Sequence, residues 1–219
     1  MNIYIIFEGE NGIKKLYIDW IQLINPVLNY VSDISQIDNN NFYIIAGMGY
    51  PFYLEMISAG IEDVKNNKKF NRLVIIVDSE GMSFEEKKLE IQSEIDKNGY
   101  VFDYHIVVQH FCFETWALGN RRIFRGKIKN PKLREYKRIY DVLNNDPELL
   151  PDLKDGDINR AQFAYKYLRL ILQEKFRNLT YTKSNPGPVN HPTYFSEIKK
   201  RFDETGHTAS FEHFLNAFV

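Results

Sequence analysis

The chain has 219 residues, of which 44% are hydrophobic and 26% charged, and its formal net charge is -1. This length fits one large domain, or a domain of about 120 residues with an appendage. A near-neutral charge argues against binding nucleic acid by overall electrostatic attraction alone. The single cysteine, Cys112, excludes an intramolecular disulfide and a multi-cysteine zinc cluster. No apolar run approaches the length of a membrane span and the N-terminal segment lacks a cationic n-region, so we expect a soluble, cytoplasmic protein.

Strand and helix patterns alternate through the first part of the chain. Asn11 and Gly12 separate a first apolar strand from an amphipathic helix that Pro26 ends. Ser83 and Glu86 have the spacing of a capping box and predict a helix start. The later patterns predict, in order, a possible strand near 28–32, a strand at 42–46, a helix at 51–64, a strand at 73–77, a helix at 84–98, a strand at 104–108 and a short helix within 110–120. This order predicts an α/β fold with a mostly parallel sheet and helices on both faces.

The composition changes at Arg121. Residues 121–138 contain nine Lys or Arg residues and one acid. The remaining patterns predict a loop at 144–157, a long helix from Asn159 to about Arg177, a loop with Pro and Gly residues, and two last helices at 193–203 and 210–218. We interpret residues 121–219 as a helical extension packed on the sheet, which predicts a division into 1–120 and 121–219.

Two of the predicted strands end in an acid followed closely by glycine. Glu8 precedes Gly9, and Asp78 and Glu80 precede Gly81. One such acid would be ordinary, because loops after strands are polar and helix N-termini favour carboxylates. Two neighbouring parallel strands with this ending would bring three carboxylates into one crevice, where they repel each other unless a cation neutralises them. The pattern therefore favours a Mg²⁺ or Mn²⁺ site.

Three short segments resemble motifs of the TOPRIM fold, which topoisomerases, bacterial primases and nucleases of the overcoming-lysogenisation-defect family share. Residues 7–11 (FEGEN) resemble its first motif, and residues 77–80 (VDSE) resemble its second. Residues 113–118 (FETWAL) are similar to a stretch of the small RloB-like TOPRIM proteins. The resemblance covers about residues 1–120.

The resemblance implies a metal-dependent nuclease that cleaves a phosphodiester of DNA or RNA. It implies that Glu8, Asp78 and Glu80 hold Mg²⁺, with Mn²⁺ able to substitute, and that they are catalytic. By the same resemblance we expect an effector in defence against phage, an oligomer that works beside a separate ATPase or sensor subunit.

The chain departs from the family pattern in two places. The second motif usually reads Asp-x-Asp, whereas its last acid here is Glu80. The RloB-like proteins usually carry a Thr-Glu pair after the first motif, where this chain has Gly12 and Ile13. Glu10 or Glu114 could supply the missing ligand. Glu114, which we also count as a catalytic candidate, could equally be a solvent-facing residue of an amphipathic helix.

The basic segment, residues 121–138, could hold the phosphate backbone of a nucleic acid or could be a solvated helix face. Its strong imbalance of charge favours phosphate contacts. The predicted nucleic-acid-binding residues are Arg121, Arg122, Arg125, Lys127, Lys129 and, in the later loop, Lys183.

The sequence leaves a second function open, in which the same fold has lost catalysis and binds nucleic acid or a partner protein. A phosphatase or phosphotransferase on another α/β sheet is disfavoured, because the first strand offers Glu8 where those enzymes need an aspartate nucleophile.

Overall fold

The computed structural model describes residues 1–100, 102–153, 158–176 and 180–219. Five parallel strands form one sheet in the order β2-β3-β1-β4-β5, which confirms the predicted α/β fold with a parallel sheet. The strands are β1 (Ile3–Phe7), β2 (Asn29–Tyr30), β3 (Asn41–Ala46), β4 (Arg72–Asp78) and β5 (Asp103–Gln109). The central strand β1 aligns Phe7 with Ala46 of β3 and with Ile76 of β4.

Two compact units make up the described chain. The first comprises residues 1–77, 83–108 and 213–219, and the second comprises residues 78–82 and 109–212. These two units do not correspond to the predicted division into 1–120 and 121–219. That division stays a prediction about domain boundaries.

The central strand β1 is apolar along its whole length because both of its faces are covered. Every residue of β1 is buried. Since side chains alternate along a strand, Tyr4 and Ile6 face one side and Phe7 faces the other. Phe7 packs against Tyr17 with ring centroids 5.0 Å apart. Tyr4 and Ile6 belong to the opposite core, with Ile57 of the helix that covers it.

Three helices of the first unit lie close to their predicted positions. They are α1 (Asn11–Ile24), α2 (Phe52–Asn66) and α3 (Phe84–Lys97). Ser83 and Glu86 form the predicted capping box at the start of α3. Gly60 allows α2 to approach the sheet, because a Cβ there would lie 2.7 Å from Ile6 Cδ1 and 2.9 Å from Tyr4 Cε1.

The later helices are α4 (Phe113–Ala117), α5 (Pro131–Ile139), α6 (Arg160–Lys175), α7 (Pro192–Thr205) and α8 (Phe211–Asn216). Asn159 caps α6 as predicted and forms a capping box with Gln162. In the second unit, α5 and α6 pack through aromatic rings, and the ring centroids of Tyr136 and Phe163 are 4.9 Å apart. The predicted end of α6 at Arg177, and residues 154–157 of the predicted loop, lie outside the described residues.

None of the helices in these ranges is both long enough and apolar enough to cross a membrane.

Candidate functional site

The second unit contains the acidic turn that follows β4. Asp78 is the last residue of that strand and is largely buried. The Ser79 backbone N–H donates to Gln109 O at 3.0 Å, and the Glu80 N–H donates to Phe111 O at 2.8 Å. These two bonds hold the acidic turn beside the chain that leads into α4. The side chain of Glu80 is exposed, and its φ of 49° is in the left-handed region, which costs a non-glycine residue roughly 1 kcal/mol.

Glu114 in the first turn of α4 is a buried acid, with only 1% of its surface exposed. This excludes the solvent-facing alternative. Its Oε1 accepts a hydrogen bond from the Tyr181 hydroxyl at 2.9 Å. Its Oε2 is also buried, and no N–H or O–H group in the described part of the chain donates a hydrogen bond to it, although the Cys112 thiol, a weak donor, interacts with this carboxylate. A buried carboxylate oxygen without a donor is costly, so a cation or a donor supplied by a ligand would stabilise it.

Lys183 brings a positive charge to these acids. Its Nζ lies 3.9 Å from Asp78 Oδ2, and its side chain is 63% exposed whereas that of Asp78 is 12% exposed. The charge of Asp78 raises the pKa of the Lys183 ammonium, burial opposes this, and the charges of Glu114 and Glu80 add to the increase. Lys183 therefore lies within the electrostatic field of all three carboxylates. We define Asp78, Glu80, Glu114 and Lys183 as the acidic site.

A hydrogen-bonded pair lies next to the acidic site. Ser79 Oγ and His110 Nδ1 are 2.9 Å apart, and Ser79 is fully buried. Burial lowers the pKa of His110, and the charge of Arg160 lowers it further. Both effects favour the neutral imidazole, and the charge of Asp146 opposes them in part. The Arg160 guanidinium lies over the Phe111 ring at 4.7 Å from its centroid. The pair supports the acidic turn, because a fully buried serine hydroxyl does not reach a substrate.

Glu8 belongs to the first unit, where it follows β1 as predicted. Its backbone N–H donates to Ile76 O at 2.7 Å, which continues the pairing of β1 with β4. The half-buried Glu8 side chain lies near α2, where its charge adds to burial and to Glu90 in raising the pKa of Tyr53. The role of Glu8 as a metal ligand stays a prediction.

Residues of the basic segment form more contacts with acids than the local sequence suggests. The count of nine cations against one acid considers only neighbours in sequence, whereas α6 and α7 bring further carboxylates to this segment. Lys127 is exposed, and no carboxylate of the described residues lies within ion-pair distance of its ammonium. Two of the other predicted residues form ion pairs, Arg121 with Glu204 and Arg122 with Glu197 at 3.2 Å. The Arg125 guanidinium donates to Lys175 O at 2.7 Å, and the Lys129 backbone N–H donates to Glu174 at 2.7 Å.

Two residues of this region were missed by sequence reasoning, namely Tyr181 and Arg160. Tyr181 contacts Glu114 across 67 residues of chain, which no local pattern reveals. A weak signal was available for each residue. Tyr181 lies two residues before Lys183 in the same loop, and Arg160 is the first residue of a helix whose cap, Asn159, was predicted.

The carboxylate oxygens of the acidic site suit Mg²⁺ as ligands, although the protein side chains do not provide a complete coordination shell. Within the described residues, no three His, Cys, Asp or Glu side chains are grouped so that they could hold a metal ion. Mg²⁺ commonly needs no such group, because it is often held by one or two carboxylates together with substrate phosphates and water. Asp78 and the buried, unbonded oxygen of Glu114 are donors of this kind.

Comparison of the chain with protein-family models, with curated proteins and with solved structures finds no match. The function must therefore be argued from the residues of the site.

Proposed function

We propose that the protein is a Mg²⁺-dependent nuclease of the TOPRIM type, which hydrolyses a phosphodiester bond of DNA or RNA. The observation that carries the proposal is Glu114. This carboxylate is buried, one of its oxygens receives no hydrogen bond from the described residues, and its charge acts on the same lysine as that of Asp78. A protein does not retain such a costly group for packing, because an apolar residue would fill the space at lower free energy.

Asp78 would hold the ion, with Mn²⁺ as a substitute, and Glu114 would face it directly or through water, whereas the role of Glu80 as a ligand stays a prediction. When bound, the ion supplies Lewis acidity toward the phosphate and lowers the pKa of a bound water. Glu8 is a further predicted ligand, and its substitution is a separate test.

Two cations of the second unit would bind phosphate groups of the substrate. Lys183 reaches from an exposed loop toward Asp78, so its ammonium can contact a phosphate bound at the acidic turn. Lys127 can contact the phosphate backbone of a longer nucleic acid. The resemblance to phage-defence nucleases extends the proposal to a cytoplasmic, oligomeric effector that works with an ATPase or sensor subunit.

The test is cleavage of a panel of labelled single- and double-stranded DNA and RNA with Mg²⁺, with Mn²⁺ and with a chelator. We expect Asp78→Asn to lower the cleavage rate by about 10³, a loss comparable to removal of a strong transition-state contact. Asp96→Asn, at an exposed acid of α3, is the matched control and should keep wild-type activity. Chemical denaturation should show that both variants fold. A wild-type protein that cleaves no member of the panel with any metal contradicts the proposal.

One observation favours the second function, a module that binds nucleic acid or a partner without catalysis. The ion pair of Lys183 with Asp78 neutralises an acid without any metal. Isothermal titration separates the two functions, because the module binds nucleic acid but neither Mg²⁺ nor Mn²⁺.

A further inference from the structure

Lys183 and a divalent cation compete for the same carboxylate. The ammonium lies 3.9 Å from Asp78 Oδ2. An ion bound to Asp78 would place a second positive charge within a few ångströms of this ammonium, where repulsion at a protein surface is strong. This inference rests on the proposed metal site.

We propose that Lys183 is a resident counter-ion of Asp78 that must move before a divalent cation binds there. A phosphate group that draws Lys183 away from Asp78 then raises the affinity for the metal. Metal and anionic substrate thus bind cooperatively, and by linkage each raises the affinity for the other by the same factor.

The loop that carries Lys183 is built for such a movement. Tyr181 anchors one end of it, because this ring is buried and its hydroxyl donates to Glu114. Thr182 and Asn185 close a tight turn with backbone bonds of 3.2 and 3.1 Å. Between these fixed points the Lys183 side chain is 63% exposed and has a flexible stem of four carbons. The lysine can therefore leave Asp78 while the loop keeps its place.

A second observation shows that the acidic site is prepared for a ligand. Lys183 neutralises Asp78, but Oε2 of Glu114 remains buried without a hydrogen-bond donor among the described residues. The resident cation thus leaves part of the negative charge unbalanced. A divalent ion bound at Asp78 would bring additional positive charge to this site.

The experiment measures binding of Mn²⁺ alone, by titration calorimetry and by the electron paramagnetic resonance signal of the free ion. Lys183→Gln should raise the affinity for Mn²⁺ by about tenfold, which lies within the usual range of coupling between sites. Lys183→Arg keeps the charge and should stay near the wild-type affinity. Lys166→Gln removes an exposed lysine of α6 and is the matched control. Equal or weaker Mn²⁺ binding by Lys183→Gln overturns the proposal.

A second titration tests the coupling itself. A short phosphorothioate oligonucleotide serves as a slowly cleaved anion, and its own affinity for Mn²⁺ is measured separately. Saturation with this oligonucleotide should raise the affinity of the wild-type protein for Mn²⁺ by about fivefold and should have little effect on Lys183→Gln. An equal response of the two proteins overturns the coupling.

The outcomes distinguish this inference from the proposed function. If no protein in the series binds Mn²⁺, both the metal site and the inference fail. If wild type and Lys183→Gln bind Mn²⁺ equally, the inference alone fails and the nuclease proposal stands.

Discussion

Two buried glutamates of the second unit have opposite surroundings. Glu148 is 8% exposed, and it accepts bonds from the Ser210 backbone N–H at 3.1 and 3.3 Å and from the Ser210 hydroxyl. Glu114 is more deeply buried, yet only one of its oxygens accepts a bond from the described residues. Burial alone does not identify a functional acid. A buried oxygen that receives no hydrogen bond is a better indicator of function than burial alone. In a purely structural role, nothing would compensate the free-energy cost of desolvating that oxygen.

The bonds of Glu148 show what a structural acid looks like. Ser210 Oγ also accepts from Trp116 Nε1 at 2.7 Å and from the His110 N–H at 3.2 Å. Glu148 thereby joins its own turn to α4 and to the segment before α8. Burial raises the pKa of Glu148 to about 7, and the bonds from Ser210 oppose part of that increase.

The largest expected effect separates the two acids by activity. Glu114→Gln should lower the cleavage rate by about 10³, because the neutral amide no longer offers a charged oxygen to the site. The free energy of unfolding should stay equal or increase, because a buried charge has been removed. Glu148→Gln should keep the cleavage rate within about twofold of wild type. Cleavage rates and urea denaturation of both variants make the comparison, and equal losses of activity would end the distinction between them.

The next effect concerns Glu148 and the dependence of stability on pH. Its pKa is about 7 in the folded protein and 4.5 in the unfolded chain. The folded state therefore holds the proton more tightly, so this contribution to stability is complete below pH 4.5 and is lost as pH rises through 7. The loss is roughly 3 kcal/mol.

Denaturation at several values from pH 5 to pH 8 measures this loss. The free energy of unfolding of wild type, relative to Glu148→Gln, should fall across this range. A constant difference would show that Glu148 does not titrate there.

The smallest expected effect comes from comparing a paired cation of the basic segment with one that has no carboxylate partner. Arg122 is paired with Glu197, whereas Lys127 has no carboxylate partner within the described ranges. Lys127→Ala should weaken nucleic-acid binding by about threefold and reduce the slope of log affinity against log salt by about one. Arg122→Ala should change the slope less. Fluorescence anisotropy at several salt concentrations measures both, and a larger change for Arg122→Ala would contradict the contrast.

Local patterns predicted the parts of the fold that depend on neighbours in the chain. The capping box of Ser83 and Glu86, the Asn159 cap and the apolar run of β4 each involve residues only a few positions apart. Their physical causes are equally local, since they are backbone donors left open at a helix end and alternation along a strand. This is why the order of strands and helices followed from the sequence.

The candidate site was only partly predictable. Asp78 and Glu80 could be named because they follow an apolar strand directly. The burial of Glu114, the bond from Tyr181 and the contact of Lys183 with Asp78 could not be predicted. A helix of five residues such as α4 is too short for its buried side to be inferred from periodicity.

The sequence by itself determined the α/β order, the parallel sheet and the acids at the ends of two strands. Only the tertiary structure decided which of these acids is paired with a lysine, how deeply Glu114 of α4 is buried, and which arginines are already paired. Local order follows from propensities and caps that act over one or two turns. Charge pairing and desolvation depend instead on residues that approach from distant positions, such as Lys183 at Asp78 and Glu204 at Arg121.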